Sequence, residues 1–311
     1  MKRIFALVLA LCMVFALCAC GDGDKDPKTT DNGNETAMKV AMITDYGDIT
    51  DQSFNQTTYE ACKAFAEDND IEFNYFKPVG DNTADRVAMI EKAADEGYNV
   101  IVMPGYAFGG AIVEAAPEFP DVKFIALDVA AGDLLETAVA KAGKTYDNTP
   151  DNWDLSEYVD MSNVYCAVYQ EELCGYMAGY AAVKLGYTKL GFLGGMEVPA
   201  VQRFGYGFVQ GASAAAAEMG VKVEMNYSWL YGASFSASTE LQTMASGWYE
   251  NGTEVIFACG GNMFQSVAAA AAANDGAVVG VDVDQSSQSD TVITSAMKGL
   301  TEAVNTALSD I

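Results

Sequence analysis

The stretch Asp45-Tyr46-Gly47-Asp48-Ile49-Thr50-Asp51-Gln52-Ser53-Phe54-Asn55-Gln56 places carboxylates, hydroxyls and carboxamides around one aromatic ring. Carboxylates accept paired hydrogen bonds from hydroxyls or ring nitrogens, and carboxamides both donate and accept. Phe54 adds a flat apolar face suited to a planar ring or a sugar face. The stretch therefore reads as a recognition loop for a small polar molecule. Each residue also has a structural use. Asp51 or Ser53 can cap a following helix by accepting from its free N–H groups, and Phe54 can staple that helix onto Tyr59 or a sheet. Asp45, Asp48 and Asp51 recur every third residue, which lacks the alternating ligands and closing glutamate of a calcium loop, so no metal site is expected.

Comparable groups recur after other short apolar runs: Pro104-Gly105-Tyr106, Asp128, Gly194-Gly195, Gly260-Gly261-Asn262 and Asp282. Lys298 follows such a run too, either as a surface lysine or as a ligand contact. The chain has no histidine, which removes His-dependent triads, imidazole acid–base chemistry and His-based metal sites. A formal charge of −26 repels phosphate backbones and argues against a nucleic-acid partner. No cofactor is expected. Cys62, Cys166, Cys174 and Cys259 lack zinc-ligand spacing, and their scatter among small and apolar neighbours favours free buried thiols over two disulfides.

These residues need elements to hold them. From Lys39 onward, β-branched runs alternate with alanine-rich helical stretches, the pattern of βαβ units and parallel sheets. Strands are expected over 40–44, 72–76, 100–103, 124–127, 164–168, 190–193, 221–227, 255–258, 278–281 and 292–294. Helices are expected over 54–67, 83–96, 110–116, 171–185, 204–219, 239–249 and 265–273. The stretch 131–161, with its glycines, Pro150 and many acids, reads as a long surface excursion. The runs starting at Val40 and Leu190 are each followed by a phenylalanine that opens a helix, Phe54 and Phe204, which points to two similar doubly wound lobes. In such sheets ligands sit beyond the carboxyl ends of the strands, where the glycines and aspartates above fall.

The N-terminus carries its own signal. Met1-Lys2-Arg3, an apolar run, and Leu17-Cys18-Ala19-Cys20 read as a lipoprotein export signal over 1–19, with Cys20 as the lipidated first residue of the mature chain. The alternative is an ordinary signal peptide with incidental cysteines. Residues 20–37 read as a flexible tether, so the membrane is reached through lipid alone and the protein works outside the cytoplasm.

Asp51-x-Ser53-Phe54-Asn55-Gln56, Arg203-Phe204-x-x-Gly207-Phe208-x-x-Gly211, Ala258-Cys259-Gly260-Gly261 and Gly280-Val281-Asp282-Val283-Asp284-Gln285 together resemble the basic-membrane-protein family, substrate-binding lipoproteins of ABC importers. The resemblance runs from about Lys39 to the end, and its nearest functional type is the purine nucleoside receptor. It implies a type I periplasmic-binding-protein fold: two doubly wound parallel-sheet lobes with the ligand cleft between them. The lobes are expected over 38–168 plus 283–311 and over 169–282, closing about hinges near 168–171 and 282–285.

By the same resemblance Phe54 stacks on a nucleobase, Asn55 bonds its edge, and the opposing ring is Phe235 or, alternatively, Phe204. Asp45 and Asp128 hold polar edges, and Gly261, Asp282 and Lys298 meet ribose and base. A phosphorylated ligand would face Asp45, Asp128 and Asp282 unpaired. ABC permease subunits are the implied partners. Departures are Gly261-Asn262-Met263 where the family usually has Gly-Thr-Gly, and an end at Ile311 where its chains usually continue through another strand and helix. Other readings are a tethered sensory receptor, a sugar-binding protein of the same fold, and a metal-dependent nucleoside hydrolase.

Overall fold

Two parallel five-stranded sheets organise the computed structural model, which describes residues 37–229 and 235–311. The signal segment, Cys20, almost all of the tether and Tyr231 to Ser234 lie outside the described residues. The first sheet contains β1 (Lys39–Ile43), β2 (Glu72–Phe76), β3 (Val100–Pro104), β4 (Lys123–Leu127) and β5 (Val164–Ala167) in the order β2-β1-β3-β4-β5. The second contains β6 (Lys189–Gly194), β7 (Glu224–Ser228), β8 (Val255–Cys259), β9 (Ala277–Asp282) and β10 (Val292–Met297) in the order β7-β6-β8-β9-β10. Both follow the same 2-1-3-4-5 winding, so each has a switch point where the direction of winding reverses, between β1 and β3 and between β6 and β8.

Apolar residues line both faces of each sheet because helices cover both faces. In the first lobe, Ile43, Ile101, Met103 and Phe124 pack on one side with Phe108 and Ile112. Val40, Val102, Ile125 and Leu127 pack on the other with α1 (Phe54–Asp68) and with α9 (Leu300–Ser309), which supplies Val304 and Leu308. In the second lobe, Leu190, Phe192 and Phe257 meet Phe204 and Phe208, and Leu193, Ile256 and Val278 meet Leu241 and Phe264. Full burial of such side chains is worth about 1.5–3 kcal/mol each.

Helices α5 (Glu171–Lys184) and α6 (Pro199–Met219) touch backbone to backbone. A Cβ at Gly175 or Gly179 of α5 would lie 2.3 or 2.1 Å from the carbonyl oxygen of Phe204 or Phe208. One at Gly207 or Gly211 of α6 would lie 2.1 or 1.9 Å from that of Glu172 or Tyr176. Four glycines thus let the two helices lock together.

Several expectations are corrected. Residues 131–161 are not wholly a surface excursion, because α4 (Ala131–Lys141) buries Leu134, Leu135, Ala138 and Val139 along one stripe. The segment after it returns Leu155, Tyr158 and Met161 to the core edge. Helix α6 starts at Pro199, whose fixed φ and missing N–H suit a first turn, so Phe204 does not open it. Helix α9 was not foreseen. Strand β10, expected in the first lobe, hydrogen-bonds to β9 of the second, and the chain returns to the first lobe only through α9. The crossovers between lobes are therefore residues 168–170 and 298–299; the loop at 282–285 joins two strands of one sheet. Of the thiols, Cys62 and Cys259 are buried, whereas Cys166 on edge strand β5 is exposed; all four are free.

The helix lock predicts opposite outcomes for two Gly→Ala changes. Gly211→Ala forces α5 and α6 apart, at a cost of about 1–3 kcal/mol, and lowers Tm by several degrees. Gly247→Ala, in α7 (Thr239–Glu250) with nothing within 4 Å of its added methyl, gains about 0.5–1 kcal/mol from helix propensity and raises it. Calorimetric melts of the two proteins against the parent check both signs.

Candidate functional site

Strand register sets the floor of the cleft. Pro104 pairs with Leu127, so Gly105 and Asp128 emerge side by side; Gly194 pairs with Cys259, so Gly195 and Gly260 do the same in the other lobe. Between them lies a cavity of about 310 Å³. All nine ligand-contact candidates border it: Asp45, Phe54, Asn55 and Asp128 from the first lobe, Phe204, Phe235, Gly261 and Asp282 from the second, and Lys298 from the second crossover. Tyr46, Tyr106 and Arg203, quoted within motifs but given no ligand contact of their own, also border it, as does Asp133, which the sequence reading had not singled out.

The recognition loop is built around Asp51. Its Oδ1 accepts from the N–H of Ser53 at 2.9 Å and of Gln56 at 3.0 Å. Its Oδ2 accepts from the N–H of Asn55 at 2.9 Å and from Asn55 Nδ2 at 3.1 Å. Asp51 is therefore the cap of α1, and it fixes the Asn55 carboxamide with its oxygen as the acceptor left over. Ser53, freed from capping, donates its hydroxyl across the cleft to Asp282 Oδ2 at 2.6 Å. The neighbouring Gln52 carbonyl accepts from Gln285 Nε2 and Gln288 Nε2, each at 3.2 Å, further bonds between the lobes.

Asp45 Oδ1 accepts from the N–H groups of Tyr46 at 2.6 Å and Gly47 at 2.8 Å. Burial raises its carboxyl above the ordinary range, while those two N–H groups and the Arg86 charge pull it back. Gly105, at φ 127°, leaves room for it: a Cβ there would lie 2.8 Å from Asp45 Oδ2.

Phe235 occupies a shelf of glycine. A Cβ on Gly195 would lie 1.8 Å from its ring and one on Gly260 2.5 Å. The residue itself takes φ 52°, a left-handed conformation that costs a bulky side chain roughly 1–2 kcal/mol. Its carbonyl, accepting from Met263 N–H at 3.1 Å, helps hold it there. Phe204 is only 2% exposed and meets Phe257 edge-on at 5.7 Å, so most of its ring belongs to the core.

Lys298 is not a surface lysine. Its side chain is 4% exposed. Nζ bonds Asp128 and stands 3.2 Å from Glu171 Oε1 and 3.9 Å from Asp282 Oδ1. The rings of Phe54, Tyr169 and Phe204 surround it at 4.9, 5.2 and 5.5 Å. Burial opposes its charge, but the attraction of Asp128, Asp282 and Glu171 outweighs that and raises its pKa. Asp128 and Asp282 therefore do not stand unpaired, as expected from sequence. Both take left-handed φ values, 63° and 65°, which turn their carboxylates back toward the lysine's end of the cleft.

Glu171 and Arg203 were missed as a pair. Arg203 Nε donates to Glu171 Oε2 at 2.5 Å, and Glu171 is wholly buried. Glu171 opens α5, where an acid is ordinary, so no local signal separated it from its neighbours. Among the described residues no group of three or more Cys, Asp or Glu side chains is arranged to hold a metal ion.

A family model described as "ABC transporter substrate-binding protein PnrA-like" matches residues 38–311. The nucleoside-binding protein BmpA of an ABC transporter from Lactococcus lactis is 27% identical over 298 residues, spanning 91% of this chain and 74% of that protein. Basic membrane protein A of Borreliella burgdorferi is 28% identical over 309 residues, spanning 98% and 78%. In structure, a solute-binding protein of an ABC transporter system from Aeropyrum pernix aligns with TM-score 0.69 and 23% identity, covering 88% of this chain and 70% of that one, a likeness of fold.

Asp133 supplies a pH test of the cavity wall. Burial pushes its carboxyl up to about 6, with the Ala130 N–H working against the shift and the charges of Asp128 and Glu136 adding to it. Because the folded value lies above the unfolded one, its contribution to stability is full below about pH 4 and is lost as pH rises through 6. Asp133→Asn, which keeps an acceptor for Ala130 N–H, removes this loss. Urea unfolding should find the variant more stable than the parent at pH 8, with the gap closing by pH 4.

Proposed function

The chain belongs to the Bmp family of PnrA-like ABC transporter substrate-binding proteins, and from that premise we propose that it captures an uncharged nucleoside, of purine type, and delivers it to a membrane permease. The observation that carries this reading is that Phe54 from one lobe and Phe235 from the other line one cavity, whose wall also carries Asp45, Asp128, Asp282 and the buried Lys298. Stacking on aromatic side chains is worth roughly 1–3 kcal/mol per base. Two rings with a few satisfied hydrogen bonds support a Kd below micromolar, on the order of 8 kcal/mol or more.

In this reading Asn55, pinned by Asp51, presents its oxygen to an N–H of the base edge. Asp45 and Asp128 take further polar edges, and Gly261, Asp282 and Lys298 meet the ribose. Arrival of ligand from both lobes' sides draws them together through the Ser53–Asp282 and Gln52 bonds, about the crossovers at 168–170 and 298–299. The closed form is what the permease recognises. In this reading the protein captures its ligand without catalysis: Asp45 and Asp128 follow different strands, the first accepting from backbone N–H groups and the second bonded to Lys298. Cys20 carries a lipid that holds the protein to the outer face of the cytoplasmic membrane. No helix among the described residues is long and apolar enough to cross a membrane, which suits attachment by lipid.

Titration calorimetry with inosine, guanosine, adenosine, cytidine and ribose, on protein refolded to strip carried-over ligand, tests the reading. Tight one-to-one binding of the purine nucleosides is expected; binding of ribose alone would replace the nucleoside with a sugar. Phe54→Ala should weaken the purine titration at least tenfold while leaving the melting profile of a folded protein.

A further inference from the structure

Three cations border the cavity among the described residues, and none is uncommitted. Lys77 is half-exposed and paired with Asp48 at 2.9 Å. The other two, Lys298 and Arg203, come from different elements and share one carboxylate, that of Glu171. Glu171 does not border the cavity. It is wholly buried behind it, at the first residue of α5, immediately after the first crossover.

We propose that Glu171 is the positioning residue that keeps both cleft cations turned onto protein carboxylates, and so sets the cleft's selectivity for uncharged ligands. Its two oxygens divide the work. Oε2 takes Arg203 Nε at 2.5 Å, and Oε1 faces Lys298 Nζ at 3.2 Å. Lys298 also serves Asp128 and Asp282, so three carboxylates meet two cations and the cluster keeps a net negative charge. Among the described residues Arg203 has no other bonded acid; Asp128 and Glu172 act on it at longer range.

An entering phosphate that draws Lys298 or Arg203 onto itself weakens their hold on these acids, which stay buried at high cost. A neutral diol or base edge makes no such demand. Removing the Glu171 charge reverses this. The guanidinium, with its planar donors, is the group best matched to a phosphate, and it loses the carboxylate charge held at its Nε. Rejection of anions thus depends on a residue that never reaches the ligand, and the carboxylates at the cavity wall are not enough by themselves.

The choice of probes rests on the nucleoside reading. Affinities of the purified protein for adenosine, guanosine and inosine and for their 5′-monophosphates are measured in the parent, Glu171→Gln and Glu171→Asp. The parent is expected to prefer nucleoside by 100-fold or more. Glu171→Gln should narrow that ratio at least tenfold, mainly through gained monophosphate affinity that declines with added salt. Glu171→Asp, which keeps the charge, should retain the parent's ratio. An unchanged ratio in a Glu171→Gln protein that binds nucleoside overturns the proposal.

Arg203→Gln is the second arm, should Glu171→Gln fail to fold. With its guanidinium committed to Glu171, its loss leaves the ratio at or above the parent's; a narrowed ratio overturns the assignment. If the parent binds no nucleoside, the nucleoside reading fails on its own. Inorganic phosphate then reads the cluster directly: affinity gained in Glu171→Gln supports the role of Glu171, and equal affinity in both proteins rejects it.

Discussion

A buried ammonium group must be surrounded by acceptors or it will not stay charged, and the architecture around Lys298 meets that demand from every direction. Desolvating such an ion costs several kcal/mol, repaid only by close, well-directed partners. Asp128 comes from the end of β4, Asp282 from the end of β9, Glu171 from the start of α5, and the lysine itself from the end of β10. These four elements must hold their relative positions for the charge to persist. Two of them adjoin the crossovers, so the same cluster lies where the lobes are joined and at the wall of the cavity.

The sheets were largely legible from the residues. Short β-branched runs recurring between alanine-rich helices specify parallel strands covered on both faces, and the rule that ligands gather at strand ends brought Asp45, Asp128, Gly261 and Asp282 to one cavity. What escaped has physical causes. Helix α4 has only four buried positions, interrupted by acids and preceded by Gly132, so its stripe is thin. The first turn of α6 contains Pro199, which reads as a breaker unless it is recognised as a first-turn residue. Strand β10 could not be assigned to a lobe, because pairing partners are a property of the whole sheet and leave no local mark. Glu171 is the sharpest case: its function as a partner is set by residues 32 and 127 positions away, while its surroundings in sequence describe an unremarkable helix start.

Lys298 separates the two kinds of reading. Its placement after a strand and the family resemblance together marked it as a candidate, while the bare sequence equally allowed a solvated side chain. Four per cent exposure and three aromatic rings around the ammonium decide against solvation. Asp51 and Ser53 were also left open, and geometry divides their labour: one caps the helix, the other reaches the opposite lobe.

The glycine-lined contact of α5 with α6 has a mechanical consequence. With backbone against backbone there is no cushion of side chains to absorb displacement, so the pair turns as one stiff lever. One end of that lever is Glu171, at the exit from the first crossover; along its second arm lie Arg203 and Phe204 at the cavity wall. In the closing motion proposed above, a displacement at that wall would reach the crossover through backbone contact rather than through side chains that can repack.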